Sequence, residues 1–285
     1  MTSQEIKKLS QISEHYDAFL IDAWGVLHDG GKVFPDAYEC LKALTKKRKK
    51  LLILSNAARR TSDFNRELAA TGIDSSMFDF SVSSGELVWQ NFKNEAYSKF
   101  GKRCFYLGPE RSKGIIKGLE LTLVDALEDA DFILNTGAEG NLPDAISLTP
   151  LFIRAANKKL PMICANPDLA AIRKGVRGIS AGAIAKLYQK FGGAVEYVGK
   201  PYEQIYRECS EKLSVVPKNR TLMIGDGLQT DILGANNYGI DSLFIRDGIY
   251  REQIELCCET NSIAENVVFD DLFITEGASP DYVIN

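Results

Sequence analysis

Three apolar runs in this 285-residue chain end in residues equipped for chemistry. Ala18-Phe19-Leu20-Ile21 runs into Asp22, Leu51-Leu52-Ile53-Leu54 into Ser55-Asn56, and Thr221-Leu222-Met223-Ile224 into Gly225-Asp226. Lys200 precedes Pro201 in Val198-Gly199-Lys200-Pro201, and Asp231 follows Asp226 by five residues. The groups on offer are carboxylate, hydroxyl, carboxamide and ammonium. A chain of net charge −4 that turned them on an anionic phosphate would need a local cation or metal in the site. Each residue also has a plainer reading. Asp22 alone is a strand-end turn with Gly25 as its permissive residue, and Ser55-Asn56 alone is a loop or helix cap. Lys200 alone is a solvated lysine, Asp226 a turn residue, and Asp231 a first-turn helix residue favoured by the dipole.

The elements that would position these residues follow from patterning. Continuous apolar runs without alternation suit strands buried on both faces. Helical patterns come after them. Pro35 to Lys46 opens with Pro-Asp and places Leu41 and Leu44 on one face. Thr61 to Thr71 closes at Gly72, and Asp231 to Tyr238 closes at Gly239. Alternating strand and helix predict an α/β fold, a doubly wound parallel sheet. Ligands of such sheets bind beyond the carboxyl ends of the strands, where Asp22, Ser55, Asn56 and Asp226 would all stand. A second set of strand-like runs, Cys104–Leu107, Phe132–Asn135 and Pro161–Ala165, lies in the middle of the chain with the helical stretch Thr149–Lys158. It predicts an inserted α/β domain over 86–189, with the core formed by 1–85 and 190–285.

Composition excludes several function classes. No basic field exists to draw in nucleic acid or an anionic membrane. The apolar runs are too short to span a bilayer, and Met1 to Glu14 carries no apolar signal core. Six cysteines without metal-ligand spacing are expected to be reduced thiols of a cytoplasmic protein. With His15 and His28 the only histidines, a histidine-rich metal site is ruled out.

Taken in order, the motifs resemble those of the haloacid dehalogenase superfamily: acid after the first strand, Ser-Asn after the second, lysine before a helix, then Gly-Asp with a second Asp. The insertion between Ser-Asn and lysine marks the second cap class. Val26-Leu27-His28-Asp29-Gly30, Asn166-Pro167-Asp168, Val198-Gly199-Lys200-Pro201 and Gly225-Asp226-Gly227-Leu228-Gln229-Thr230-Asp231 are similar to NagD-type phosphatases of subfamily IIA, and the likeness covers nearly the whole chain from Tyr16 on. The resemblance implies a Mg²⁺-dependent phosphatase with a Rossmannoid core and an α/β cap. Asp22 would be nucleophile and metal ligand, forming an aspartyl-phosphate. Asp226 and the backbone carbonyl of Trp24 would complete the protein ligands, with Asp231 behind them orienting a metal-bound water or supporting Lys200. Ser55 and the backbone amide of Asn56 would hold phosphate oxygens, Lys200 would stabilise the transferred phosphoryl group, and Gly25 would let the chain turn away from the nucleophile. Asn166 and Asp168 are candidate substrate contacts from the cap, although Asn-Pro-Asp is also an ordinary turn. Ser180-Ala181-Gly182-Ala183 is either a further contact or a closely packed helix start. Tyr188, Phe191 and Tyr197 read as core. Small phosphorylated metabolites are the expected partners, with a homodimer through the cap left open.

One position departs from the pattern. Family phosphatases carry a second Asp two residues after the nucleophile, where this chain has Trp24. Indole offers only a hydrogen-bond donor. Four accounts follow: His28, Asp29 or Asp168 supplies the proton; the substrate is an acyl phosphate or another activated ester; the chain is a dehalogenase; or it binds a phosphorylated ligand without turnover. The plain reading of Trp24 is a packing residue between core and cap.

Overall fold

The computed structural model describes residues 3–139, 144–173, 176–261 and 264–284. Its strands are β1 (Gln4–Glu5), β2 (Ala18–Ile21), β3 (Lys50–Ser55), β4 (Phe80–Ser83), β5 (Arg103–Leu107), β6 (Thr122–Leu123), β7 (Phe132–Asn135), β8 (Met162–Cys164), β9 (Ala170–Arg173), β10 (Val176–Ile179), β11 (Val195–Tyr197), β12 (Thr221–Gly225), β13 (Asp241–Ile245) and β14 (Tyr282–Ile284). Contacts divide the chain into two compact units. The first holds residues up to Ser55, Leu68–Ser81 and Tyr206 onward; the second holds Asn56–Glu67 and Val82–Ile205. The contact boundaries thus put 56–67, 82–85 and 190–205 with the middle of the chain.

The first unit is built on a sheet of order β1-β14-β13-β12-β2-β3-β4. β2, β3 and β12 pair in parallel, with Ile21 opposite both Ile53 and Ile224. Their apolar runs are buried along their length, as expected of strands covered on both faces. Helix α1 (Pro35–Lys46) starts on proline and turns Leu41 and Leu44 inward, matching its sequence pattern. The helix expected over Asp231–Tyr238 is divided. Leu228–Ile232 forms a π turn, and a short α-helix covers Leu233–Tyr238 before Gly239 closes it with a left-handed residue at φ 78°.

The second unit carries a parallel sheet of order β11-β8-β7-β5-β6 and a two-stranded antiparallel ribbon of β9 and β10. Its core gathers Ile133, Phe152, Met162, Ile184 and Tyr188, all fully buried. Tyr188 packs its ring 5.2 Å from that of Phe152 and donates its hydroxyl proton to Leu160 O at 2.6 Å. Phe191 and Tyr197 pack against the same cluster. Two parallel sheets establish the expected α/β class. Among the described residues no helix is long and apolar enough to cross a membrane.

Tyr188→Phe leaves the Leu160 carbonyl without this donor and is expected to cost about 1–3 kcal/mol. Phe152→Ala opens a cavity and is expected to cost about 3–5 kcal/mol. Urea denaturation of both variants measures the difference; equal midpoints would contradict this account of the core.

Candidate active site

In the first unit, three carboxylates converge at the carboxyl edge of the sheet. Asp22 continues β2 by one residue, and its amide donates to Ile224 O at 2.9 Å. Asp226 stands one residue past β12. Asp231 returns to the same place because the π turn brings it back over the strand end: its amide donates to Gly227 O at 2.8 Å, and its Oδ2 accepts from Gly227 N at 3.0 Å. Carboxylate oxygens of Asp22, Asp226 and Asp231 all lie within 4.8 Å of one another, and all three residues are buried. Asp231, expected behind the ligands, therefore offers an oxygen to the same cluster.

Backbone details fix these groups. Asp226 Oδ2 accepts from Ile249 N at 2.8 Å. Two glycines flank that carboxylate: a Cβ on Gly25 would fall 2.1 Å from Asp226 Oδ2, and one on Gly248 would fall 2.4 Å from it. Gly25 also adopts φ 81°, where side chains are strained, so its place in the site is steric. Fully buried Tyr206 donates from its hydroxyl to the carbonyls of Thr230 and Asp231, each at 3.2 Å, which holds the π turn. Sequence reading missed Tyr206 and Gly248-Ile249. A buried tyrosine on an amphipathic helix and a glycine after β13 carry no local signal of a site. Ser55 ends β3, one residue beyond the level of Asp22, and is buried.

Trp24 packs within its own loop. Its indole meets the His28 ring edge-on, with centroids 5.4 Å apart, and lies where a Cβ on Gly30 would fall 2.0 Å from Cη2. Gly25 N donates to His28 O at 3.0 Å, tying the loop across its base. Of the candidate proton donors nearby, His28 Nδ1 accepts from Gly30 N at 2.9 Å, and burial pushes the imidazole down against the opposing pull of Asp22 and Asp29. Asp29 is a turn residue. Its Oδ1 accepts from Lys32 N and Gly31 N, both at 2.8 Å, and these amides hold its carboxyl below the usual range. A carboxylate kept ionised in this way is a poor proton donor.

In the second unit, Lys200 is almost fully buried, at 2% exposure. The Asn56 carboxamide grips its backbone: Lys200 N donates to Asn56 Oδ1 at 2.7 Å, and Asn56 Nδ2 donates to Lys200 O at 3.1 Å. Asn56 Nδ2 also donates to Asp168 Oδ1 at 2.7 Å. Asn166 Oδ1 accepts from Asp168 N at 2.8 Å, closing an Asx turn. The Asn166 and Asp168 side chains, candidate substrate contacts, make these bonds inside this unit, as does the Asn56 side chain, whose expected phosphate contact is its backbone amide. Ser180-Ala181-Gly182-Ala183 is a helix start, where a Cβ on Gly182 would fall 2.0 Å from Pro167 O.

Residues 19–122 match the model of the haloacid dehalogenase-like hydrolase family, and residues 197–272 match a second model described as HAD-hydrolase-like. A solved hydrolase of the haloacid dehalogenase-like family from Brucella suis 1330 is 30% identical, with a TM-score of 0.80 over 86% of this chain and 90% of that one. The chain belongs to the haloacid dehalogenase-like hydrolases. Two curated phosphatases of this kind match it over most of their length. The 5'-nucleotidase YutF of Bacillus subtilis (strain 168) is 23% identical over 244 residues, 84% of this chain and 90% of its own. The ribonucleotide monophosphatase NagD of Escherichia coli (strain K12) is 24% identical over 234 residues, 81% of this chain and 87% of its own.

Three buried carboxylates so close repel one another. Asp22→Asn removes one charge at constant shape. It is expected to raise Tm in EDTA by about 2–4 °C, corresponding to roughly 1 kcal/mol. A thermal melt with EDTA checks this, and a lower Tm than the parent would refute the repulsion.

Proposed function

We propose that this chain is a Mg²⁺-dependent phosphatase of small phosphorylated metabolites, working through an aspartyl-phosphate on Asp22. The observation that carries the reading is the buried cluster of Asp22, Asp226 and Asp231. Three buried carboxylates demand positive charge, and an all-oxygen donor set suits a hard divalent cation. The carboxylates of Asp22 and Asp226 and the carbonyl of Trp24 would hold Mg²⁺, with Asp231 beside them. Bound there, it would offset the charge of a phosphate dianion facing a carboxylate nucleophile.

The protein's own groups divide the remaining work. An Asp22 oxygen attacks phosphorus and the bond to the leaving oxygen breaks; water then attacks the phosphorus of the aspartyl-phosphate and releases phosphate and free Asp22. Ser55 and the Asn56 amide hold phosphoryl oxygens, and Lys200 offsets the charge that develops on them. Residues 86–189 act as an inserted cap that selects the substrate. Relatives whose names specify nucleotide monoesters support a phosphomonoester substrate.

Trp24 shapes substrate preference. General acid help is worth about 10²–10⁴ in rate; Trp24 offers only an indole N–H, burial favours the neutral form of His28, and backbone amides favour the ionised form of Asp29. Leaving groups that depart as stable anions, those of aryl and acyl phosphates, are therefore favoured over alkoxides.

The test is phosphate release from p-nitrophenyl phosphate, an acyl phosphate and a panel of alkyl phosphomonoesters, with Mg²⁺ or EDTA. Release is expected to require both Mg²⁺ and Asp22, to vanish in Asp22→Asn, and to run fastest on the aryl and acyl esters. Trp24→Asp should raise turnover of the alkyl esters by about 10² relative to p-nitrophenyl phosphate. Absence of release from every member by folded, metal-loaded protein would overturn the phosphatase reading, and halide release persisting in EDTA would replace it with dehalogenation.

A further inference from the structure

We infer that Asn56 is a positioning residue for Lys200, and that Ser84 braces the loop from which it acts. The inference rests on the proposed role of Lys200 in phosphoryl transfer, and deepens it. A buried ammonium on a four-carbon stem has many rotamers, so its usefulness depends on how firmly its backbone is anchored. Here one carboxamide takes both backbone polar groups of Lys200: Oδ1 accepts its N–H at 2.7 Å and Nδ2 donates to its carbonyl at 3.1 Å. Gly199 makes this approach feasible. A Cβ there would fall 2.4 Å from Asn56 Oδ1, and its φ of 127° is open to glycine alone.

The grip is useful only if Asn56 is itself fixed, and its surroundings fix it. Nδ2 also donates to Asp168 Oδ1 at 2.7 Å, and Asp168 is set by the Asn166 turn. Ser84, fully buried at the start of the helix Ser84–Lys93, donates to Ala165 O at 2.6 Å and lies 3.1 Å from Ala57 O. Its hydroxyl therefore bridges the loop after Asn56 to the loop before Asn166. Gly85 N donates to Ala57 O at 3.1 Å, and a Cβ on Gly85 would fall 2.2 Å from Arg59 N, so loop and helix touch backbone to backbone. Further along, Glu86 accepts from Arg60 Nε at 2.8 Å and from Thr61 N at 2.9 Å, while the Arg60 guanidinium lies 3.7 Å from the Trp89 ring centroid. Four separate stretches, 56–61, 84–89, 165–168 and 199–200, thus form one polar bracket around the Lys200 peptide. Satisfied buried networks of this kind specify a single geometry, and one missing member loosens the rest.

The bracket also explains why Asn56 is asparagine. Aspartate would lose the donor to Lys200 O and bring a second carboxylate against Asp168. Reversing the pair in Asn56→Asp/Asp168→Asn restores one donor and one acceptor between positions 56 and 168, and keeps the acceptor for Lys200 N.

The experiment is a double-mutant cycle on the full chain with Mg²⁺ and p-nitrophenyl phosphate, combined with hydrogen exchange at the Lys200 amide. Asn56→Ala is expected to lower kcat by about tenfold or more and to speed exchange of the Lys200 amide. Added to Lys200→Ala it should change kcat by less than about twofold, because coupled groups are non-additive. Ser84→Ala, a milder change that keeps the Cβ, should show the same non-additivity at smaller amplitude, and serves if Asn56→Ala does not fold. Asn56→Asp should be slower than Asn56→Asp/Asp168→Asn. Multiplying effects of Asn56→Ala and Lys200→Ala would assign Asn56 to substrate directly and overturn the inference. Unchanged exchange at Lys200 in the Asn56 and Ser84 variants would also overturn it. If the parent protein itself releases no phosphate, the phosphatase reading falls, and the exchange rates alone decide whether the bracket holds Lys200.

Discussion

Three like charges in one buried space are the constraint on which the first unit is arranged. Asp22, Asp226 and Asp231 repel one another, yet each is held by backbone that gives it little freedom to turn away. Asp22 is locked to the neighbouring strand through Ile224 O, Asp226 to the Ile249 amide, and Asp231 to the Gly227 amide. Strand pairing sets Asp226 one residue beyond the level of Asp22, since Ile21 and Ile224 are partners. Binding of the proposed cation would offset that repulsion.

The second unit solves a different problem, holding one positive charge in place. The backbone of Lys200 is fixed by the neutral carboxamide of Asn56. The hydrogen bonds that anchor the residue are thus made by its main chain. The parallel sheet of this unit supplies the frame, with β8 leading into the Asn166 turn and β11 leading into Lys200, side by side through Cys164 and Tyr197.

Much of this was legible in the sequence, and the limits have physical causes. Apolar runs ending in polar clusters located β2, β3 and β12 within a residue, because strands buried on both faces leave an unmistakable pattern. Pro35 and the Leu41–Leu44 spacing located the first helix for similar reasons. The Leu228–Ile232 turn was hidden because α and π turns share composition and differ only in which carbonyl each amide reaches. The ribbon of β9 and β10 was missed because Ala170 to Ile179 lacks the β-branched alternation of a hairpin. At the site, the residue types were readable and their bonding was not. Asn56 was visible as a motif member, but its partner lies 144 residues away, and no local pattern shows that separation closing. Trp24 was seen as a departure; its packing on His28 and Gly30 belongs to its own loop.

The two glycines beside Asp226 bear on how this protein can vary over generations. Any amino acid other than glycine brings a Cβ, so every missense change at the codons of Gly25 and Gly248 puts an atom where the Asp226 carboxylate already stands. No small step through the genetic code leads out of either position. These two positions admit no graded substitutes. A lineage that relinquished the chemistry of this site would be expected to record the loss at Gly25 and Gly248 as readily as at the aspartates themselves.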